Sequence, residues 1–492
     1  MNRRKFLTSS VIATGGAILS RSLLAKTGAP SRPNVILCMT DDQGWGDTGY
    51  NGHPHLKTPN LDKMASEGVR FDRFYSAAPV CSPTRGSCIT GRHPNRYGIW
   101  FAMDGHIKPQ ELTIYEALKA RGYATGHFGK WHLGTLTREK GAQNRWGVWS
   151  RKPREHYSPP WVNGVEACFV TESKVPTWDP MKTPEHWKRK GNKEDKPFGN
   201  DYFVGPDKIA RDNLEGDDSR VIMDRVVPFI KQAVAVKKSF LAVVWFHTPH
   251  SPVLAGPKHL AMYKDRPEHE AHYYGCLTAM DQQVGRLRKT LNELSVSEDT
   301  IMFFCSDNGP ARQGKKRHVG SPGPFRGFKL SLLEGGIRVP GIMVWPRRIK
   351  QPRVVKTPAC TSDYVPTIYE ALNIKPKAQP TPLDGISLLG AVFRNETKRA
   401  KPIAFAVHGQ IALIDNRYKI YSRNRGKTYS LYDLVDDPGE KKDLADKRPD
   451  ILKSMKKTLE SWRQSCDDSL QGKDYKTDGP SDTTNAAPAA KT

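Results

Sequence analysis

Apolar and polar positions along the chain fall into two recurring patterns. Short apolar runs rich in β-branched residues occur at Asn34–Met39, Phe240–Phe246 and Thr300–Cys305, with further candidates at Ala124–Phe128 and Val339–Trp345. Such runs suit strands covered on both faces. Between them lie stretches with helical period and recognisable ends. One begins at Thr58-Pro59 and stops at Gly68; another opens with Thr113 and Glu116 as a capping box and ends near Gly122. Ser219–Ala235 and His269–Leu294 read as longer amphipathic helices, and Asp363 is expected to cap a helix running to Leu372. Strands alternating with helices predict an α/β fold, a large sheet flanked by helices. In such sheets ligands bind past the carboxyl ends of the strands. Asp41-Asp42, Lys130 and His132, His247 and His250, and Asp307-Asn308 all stand just past predicted strands.

Two regions depart from this pattern. From Arg138 to Arg220 tryptophan, proline and charge dominate, and an irregular insertion with an ordered substrate loop around Trp161–Pro180 is expected. After about Lys398 four short strands are predicted at Ile403–Val407, Ile411–Leu413, Tyr418–Tyr421 and Tyr429–Tyr432, then a helix from Pro449 to about Trp462. The expected organisation is a catalytic domain at 31–397 with its insertion at 138–220, a small antiparallel-sheet-plus-helix subdomain at 398–466, and a disordered tail at 467–492. Residues 1–30 resemble a twin-arginine export signal: Arg3-Arg4-Lys5-Phe6-Leu7 precedes a weakly apolar stretch containing Gly15 and Gly16. That stretch is too short and glycine-rich for a stable membrane span. Engagement with export machinery and a periplasmic or extracellular location follow as expectations.

Composition changes the picture mainly through charge. The 492 residues carry a formal net charge of +26, which favours polyanionic partners such as nucleic acid, anionic lipid or sulfated polysaccharide. No nucleic-acid-binding signature accompanies the charge, so no nucleic-acid partner is expected. The eight cysteines lack paired short spacings, which argues against a disulfide framework or a zinc site. Cys38 and Cys305 sit in apolar runs as buried thiols, while one or two pairings among Cys88, Cys168, Cys276, Cys360 and Cys466 stay open.

The candidate chemistry centres on Pro79–Arg92. Pro83 lies just inside a predicted helix start and Gly91 at its stop. Cys81 therefore stands at a helix N-terminus, where free N–H groups favour an anion, with Arg85 one turn later on the same face. The combination suits a tetrahedral oxyanion such as sulfate or phosphate. Taken alone, C-x-P-x-R equally fits a buried thiol beside a structural arginine. Asp41, Asp42, Asp307 and Asn308 form an all-oxygen set suited to a hard cation, Ca²⁺ or Mg²⁺. Adjacent carboxylates repel unless a cation lies between them, although turn capping is the ordinary use of each pair alone.

Cys81-Ser82-Pro83-Thr84-Arg85 followed by Thr90-Gly91-Arg92 resembles the signature of the type I, arylsulfatase-like sulfatases of the alkaline-phosphatase superfamily. The resemblance extends, in order, through Pro33–Leu37, Thr40–Asp47, Gly129–Gly134, Ser306–Gly309 and Glu334–Arg338, and spans roughly Pro33–Trp345. It implies a large mixed sheet flanked by helices, with a small C-terminal subdomain. It also implies that a maturation enzyme converts Cys81 to formylglycine, whose hydrate attacks sulfur with one hydroxyl and expels sulfate with the other. Position 81 joins Asp41, Asp42, Asp307 and Asn308 around the cation, by family habit Ca²⁺ rather than Mg²⁺. Lys130 binds sulfate and position 81, His132 assists release, Lys329 contacts the leaving-group side, and Arg85 and His250 complete the catalytic set; the family pattern aligns better with His250, but His247 also has a proline two residues on, so the histidine register is open. The expected substrate is a sulfated saccharide or other sulfate ester. His106, Trp178, Asp179 and His318 are candidate contacts, together with Arg312–Arg326 and His408. The competing functions are a phosphodiester or phosphonate monoester hydrolase and a non-catalytic binder of sulfated glycans.

Overall fold

Asn34–Thr40 becomes the middle of the central sheet, with all seven residues buried. It runs parallel to Phe240–Trp245 on one side and Thr300–Ser306 on the other. The computed structural model describes residues 32–140, 149–185, 196–312 and 319–475. Among them ten strands form this sheet, in the order Arg353–Val355, Val69–Phe71, Gly341–Val344, Thr300–Ser306, Asn34–Thr40, Phe240–Trp245, Ala124–Lys130, Ala167–Thr171, Phe203–Gly205 and Lys208–Ile209. Gly341–Val344 pairs antiparallel with Thr300–Ser306, so the sheet is mixed. Register decides where the chemistry collects. Met39 lies opposite both Trp245 and Cys305, and Gly129 opposite Trp245, so four parallel strands end level. The residues that follow them are delivered to one edge.

Both faces are covered because side chains alternate along each strand. Val35, Leu37 and Met39 pack with Ile89 of the helix Cys81–Thr90, Leu118 of Ile114–Lys119 and Ile368 of Tyr364–Ala371. Ile36 and Cys38 face the opposite layer, against Val226 of the helix Asp218–Ala235, Met280 of Glu268–Glu293 and Met64 of Pro59–Glu67. Each such aliphatic side chain, fully buried, contributes roughly 1.5–3 kcal/mol. The capping box at Thr113 and Glu116 forms in full.

Several expectations need correction. The segment expected to be irregular supplies three strands, Ala167–Thr171, Phe203–Gly205 and Lys208–Ile209, which extend the sheet beyond Ala124–Lys130. Runs of two to five residues carry too little periodicity to stand out beside so much proline and charge. Asp363 precedes the helix Tyr364–Ala371, but its side chain does not cap it. Instead its carboxylate accepts from the backbone of Cys360 and Ile386 and pairs with buried Arg399 at 2.6 Å. All eight cysteines are free thiols, so none of the open pairings forms. The C-terminal helix runs from Pro449 to Leu470, past both Trp462 and the expected tail boundary. Beyond it Asp474 reaches buried Arg92 at 2.5 Å and the Tyr475 hydroxyl donates to Glu111 at 2.6 Å. The export-signal segment, His318 and the tail from 476 lie outside the described residues. No helix among the described residues is long and apolar enough to cross a membrane.

The four C-terminal strands, Ile403–Val407, Gln410–Asp415, Tyr418–Ser422 and Ser430–Asp433, form an antiparallel sheet. One face packs on the helix Pro449–Leu470 through Leu413, Ile420, Met455 and Leu459. The other packs on the segment that carries Cys81, through Phe405, Val407, Ala412 and Ile414. The described residues from Pro33 onward thus form one unit. Lys419 is sealed in this junction, 3.0 Å from Glu334 and 2.8 Å from Glu440. Lys419→Met would leave two buried carboxylates facing each other without their cation. The expected loss is about 3–5 kcal/mol of stability, read by urea denaturation; an unchanged midpoint would show that the junction does not depend on this pair.

Candidate active site

The helix Cys81–Thr90 is buried along its whole length. Val80 enters it in extended geometry, so Cys81 is its first helical residue, and Gly91 leaves it at φ +71°. Gly86 is needed for close approach, because a Cβ there would lie 2.6 Å from the Tyr97 hydroxyl. Arg85 projects from the first turn into full burial. Its Nε and Nη2 donate to one oxygen of Asp307 at 3.1 and 2.6 Å, and Nη2 lies 3.5 Å from Asp41. Its Nη1 donates to the Lys130 carbonyl at 3.3 Å, and the guanidinium plane sits 5.1 Å from the Trp245 ring. The arginine therefore ties together three strand ends.

The four oxygen-bearing residues converge as expected. Lys130 Nζ donates to Asp41 Oδ2 at 2.7 Å; Lys329 Nζ and Asn308 Nδ2 donate to Asp42 Oδ1 at 2.6 and 2.7 Å. The Asp42 backbone N–H donates to Asp307 Oδ1 at 3.1 Å. Two buried oxygens, Asp41 Oδ1 and Asn308 Oδ1, have no hydrogen-bond partner among the described residues. Unsatisfied buried oxygens are costly, and a shared cation is the simplest satisfaction for two of them. Ligand atoms of Asp41, Cys81 and Asp307 lie within 4.8 Å of one another, as do those of Asp41, Asp42 and His250, so either group could hold a metal ion. Gly309 locks the turn: its N–H donates to the Gly336 carbonyl at 2.9 Å, and a Cβ would meet the Gly335 oxygen at 2.0 Å.

The electrostatics of the cluster are lopsided. Burial alone would raise Asp41, but Lys130, with His250, Arg85 and Lys329, holds it well below the usual carboxylate range. Burial and then the neighbouring Asp41 charge push Asp307 up to about 7. The same cluster thus drives Asp41 and Asp307 in opposite directions, and a cation between them would relieve the repulsion.

The remaining candidates separate cleanly. His250 Nδ1 is 2.8 Å from the Ser251 carbonyl, which can only accept, so that nitrogen carries the proton. Its Nε2 stands 3.7 Å from Asp42 Oδ2. Burial, opposed by Asp41 and reinforced by Lys329, lowers its pKa to about 3. His247 is used up elsewhere, between Thr171 Oγ1 at 2.7 Å and Asp218 at 2.9 Å. The structure thus places His250, not His247, at the carboxylates. His132 follows Lys130 at φ +59°, buried, with Nδ1 unpartnered among the described residues. Burial, then Lys130 and Arg85, keeps it neutral. Lys329 reaches in from a turn whose next residue, Leu330, has φ +74° and donates to the Pro79 carbonyl just before Cys81.

Of the proposed substrate contacts, Trp178 and Asp179 are half-buried and pack on distant segments of the chain. The Trp178 ring lies so close to Gly256 that a Cβ there would come within 2.0 Å, and Asp179 accepts from the Gly216 N–H at 2.6 Å. His106 pairs with His156 at 3.3 Å, beside the turn at Gly134. His408 stacks on Phe101, ring centres 4.2 Å apart, and with Trp100, Arg425 and Arg463 lines a cleft of about 270 Å³. The sequence reading missed Lys174, which interacts electrostatically with Lys130, Lys329, Asp41 and Asp42. Its signal was position: it sits three residues past the strand Ala167–Thr171, which was not recognised as one.

Comparison with known proteins fits this geometry. Residues 33–374 match the family model described as Sulfatase. The N-acetylgalactosamine-6-sulfatase of Canis lupus familiaris is 32% identical over 388 residues, covering 76% of this chain and 69% of the relative. The arylsulfatase A of Bos taurus is 28% identical over 488 residues, 89% of each chain. Among solved structures, Ps i-CgsB in complex with k-i-k-neocarrahexaose superposes with a TM-score of 0.72 at 25% identity, covering 88% of this chain and 92% of that one. With the signature helix, the acidic strand ends and these relatives in agreement, the chain belongs to the sulfatase family and is a sulfuric-ester hydrolase.

Proposed function

We propose that the enzyme removes sulfate from a sulfated saccharide, with Cys81 converted to formylglycine and a Ca²⁺ held by Asp41, Asp42, Asp307, Asn308 and position 81. The observation that carries this reading is the pair of unsatisfied oxygens, Asp41 Oδ1 and Asn308 Oδ1, beside a Cys81 at the head of its helix. Burial pushes the Cys81 thiol up, against the pull of Lys130 and Lys329, so at neutral pH it is protonated and a poor nucleophile. Formylglycine would supply, as its hydrate, one hydroxyl to take the sulfuryl group and a second to release it. The cation would supply charge withdrawal from the sulfate oxygens and relief of carboxylate repulsion.

The chain's own residues do the rest. Arg85 fixes Asp307 and Asp41 through its fork, while Lys130 and Lys329 bring two further positive charges to the carboxylates. This preorganised array favours the charge that develops on sulfuryl oxygens, and losing one such donor costs roughly 3–4 kcal/mol in comparable sites. His250 keeps a lone pair on Nε2, 3.7 Å from Asp42. The negative charge of a bound ester would raise its proton affinity, which fits it to carry a proton to the leaving oxygen. His132, kept neutral and with Nδ1 unpartnered among the described residues, is our candidate for the base that takes a proton during release.

Support for a saccharide comes from the net charge of +26, from the cleft lined by Trp100, His408, Arg425 and Arg463, and from relatives named for a sulfated sugar. Trp100, 40% exposed, offers a flat apolar face. Export of the product of this gene follows from the twin-arginine-like residues 1–30. Conversion of residue 81 by the maturation enzyme would have to come earlier, because Cys81 is only 2% exposed once folded.

Cys81→Ala should abolish multiple turnover on sulfate esters with little change in melting temperature, and Cys81→Ser should transfer sulfate at most once. Mass spectrometry of the residue-81 peptide from the native host checks the premise: an aldehyde is expected, and an unmodified thiol in an active preparation would overturn the reading. Rates on matched sulfate, phosphate and phosphonate esters separate this function from the phosphonate monoester alternative; a preference for the sulfate ester is expected.

The cation has its own signature. Asp307, raised from 3.8 to about 7, adds stability that is complete below 3.8 and lost as pH rises through about 7. Asp41 is ionised throughout that window and adds no slope. Asp47, Asp217 and Glu172 are also raised to about 7, so the readout is the difference between wild type and Asp307→Asn. In chelated protein the wild type should lose more stability than the variant between pH 4 and 8, and Ca²⁺ should restore it at pH 8. Parallel pH profiles, or no restoration by Ca²⁺, would contradict the assignment.

A further inference from the structure

The free edge of the central sheet carries a second concentration of positive charge. Gly341–Val344 is antiparallel to both Thr300–Ser306 and Val69–Phe71, and Arg353–Val355 is parallel to the latter. Two reversals mean that Asp72-Arg73 and Lys356 leave the sheet at the same edge as Asp307. They lie up to three strand spacings away, about 14 Å at ~4.8 Å each. There a groove of about 630 Å³ opens between this edge and the C-terminal sheet. Six cationic side chains and only two carboxylates line it.

The carboxylates are already engaged. Asp72 pairs with Arg338 at 3.2 Å and Glu396 with Arg394 at 3.0 Å, while Arg417 is taken by Asp433 and Asp436. Arg353 has only the Asn395 side-chain oxygen, at 3.0 Å, and Lys356 and Lys398 form no ion pair among the described residues. Arg73 is the telling member. It is 7% exposed, yet its Nε and Nη2 have no hydrogen-bond partner among the described residues. Tyr75 and the nearby carboxylates of Glu334 and Asp72 meet part of its charge, and two idle donors on a buried guanidinium leave room for a further acceptor. On the rim Val354 and Val435 are 47% and 55% exposed, apolar contacts of the kind a sugar ring can cover.

We propose that this groove is a second, non-catalytic anion site that holds a sulfate or carboxylate group of a polyanionic saccharide through Arg73, Arg353, Lys356 and Lys398. The inference rests on the saccharide reading given above and adds a distinct place where the polymer is held. Such a site gives a polymer binding energy that a small ester cannot use. Arg73 and Arg353 suit forked recognition of an acidic group, and the exposed lysines act as point charges.

The test is binding of the full-length protein to dextran sulfate, in parallel with turnover of 4-nitrophenyl sulfate. Lys356→Ala/Lys398→Ala should weaken dextran sulfate binding about tenfold with a shallower salt dependence, and leave 4-nitrophenyl sulfate turnover within about twofold. Lys453→Ala/Lys457→Ala removes the same charge from the C-terminal helix and should leave binding unchanged; an equal loss there would overturn the groove in favour of diffuse charge. Arg73→Lys keeps the charge but loses the fork and should also weaken binding, the exposed double variant deciding the matter should it melt early. Undiminished binding by the double variant overturns the proposal. Inorganic sulfate that displaces dextran sulfate at matched sulfate concentration overturns the saccharide assignment in favour of a free-anion site. Failure of the wild type to cleave 4-nitrophenyl sulfate would count against the catalytic reading alone, because the binding arm is read independently.

Discussion

Everything at the active edge depends on keeping three carboxylates and their cations buried in one place. Asp41, Asp42 and Asp307 meet Arg85, Lys130 and Lys329 almost without solvent, where an unmatched charge costs several kcal/mol. No single element could hold such a cluster. The carboxylates come from the ends of two adjacent parallel strands, Lys130 from a third, Arg85 from the signature helix and Lys329 from a strained turn. Level strand ends make the convergence possible, and the two apolar layers beneath fix those ends. Positive φ at Asp42, His132 and Leu330 adds strain of about 1–3 kcal/mol each, which the packed sheet must offset.

Much of this was legible in the sequence because the chemistry sits at strand ends. A run such as Asn34–Thr40 announces both a buried strand and the place where Asp41 and Asp42 must emerge. Polar residues immediately after apolar runs therefore marked Asp41, Asp42, Lys130, His132, Asp307 and Asn308 as candidates before any fold was in view. Which histidine serves the site was not legible. His247 and His250 share a loop and a similar proline spacing, and only tertiary partners distinguish them: Thr171 and Asp218 occupy one, Asp42 faces the other.

The errors have a common physical origin. Short strands at Ala167–Thr171 and Phe203–Gly205 gain stability from pairing with an existing sheet, not from their own pattern, so a local reading sees only irregularity. Missing the first of them hid Lys174. Trp178 packs over Gly256 and is still half-buried, so its ring has both a packing partner and a partly open side. Trp100 drew no attention, because exposure is a tertiary property. Asp363 looked like a cap because it precedes a helix, but Arg399, 36 residues later, claims its carboxylate.

The order of the chain bears on how residue 81 could be modified at all. In the folded protein Cys81 shares a core cluster with Phe405, Val407, Ala412 and Ile414. Arg92, just past the signature helix, is closed over by Glu111 and Asp474. The signature helix is thus sealed by segments made more than 300 residues later. At about 5–20 residues per second, an emerging chain would expose residue 81 for tens of seconds before Phe405 exists to cover it. Formylglycine formation, on the reading proposed above, needs no opening of the native fold: the C-terminal sheet that completes the cover over the cysteine is made late. The Lys419 pairs with Glu334 and Glu440 join that late-made sheet to the segment beside the signature helix.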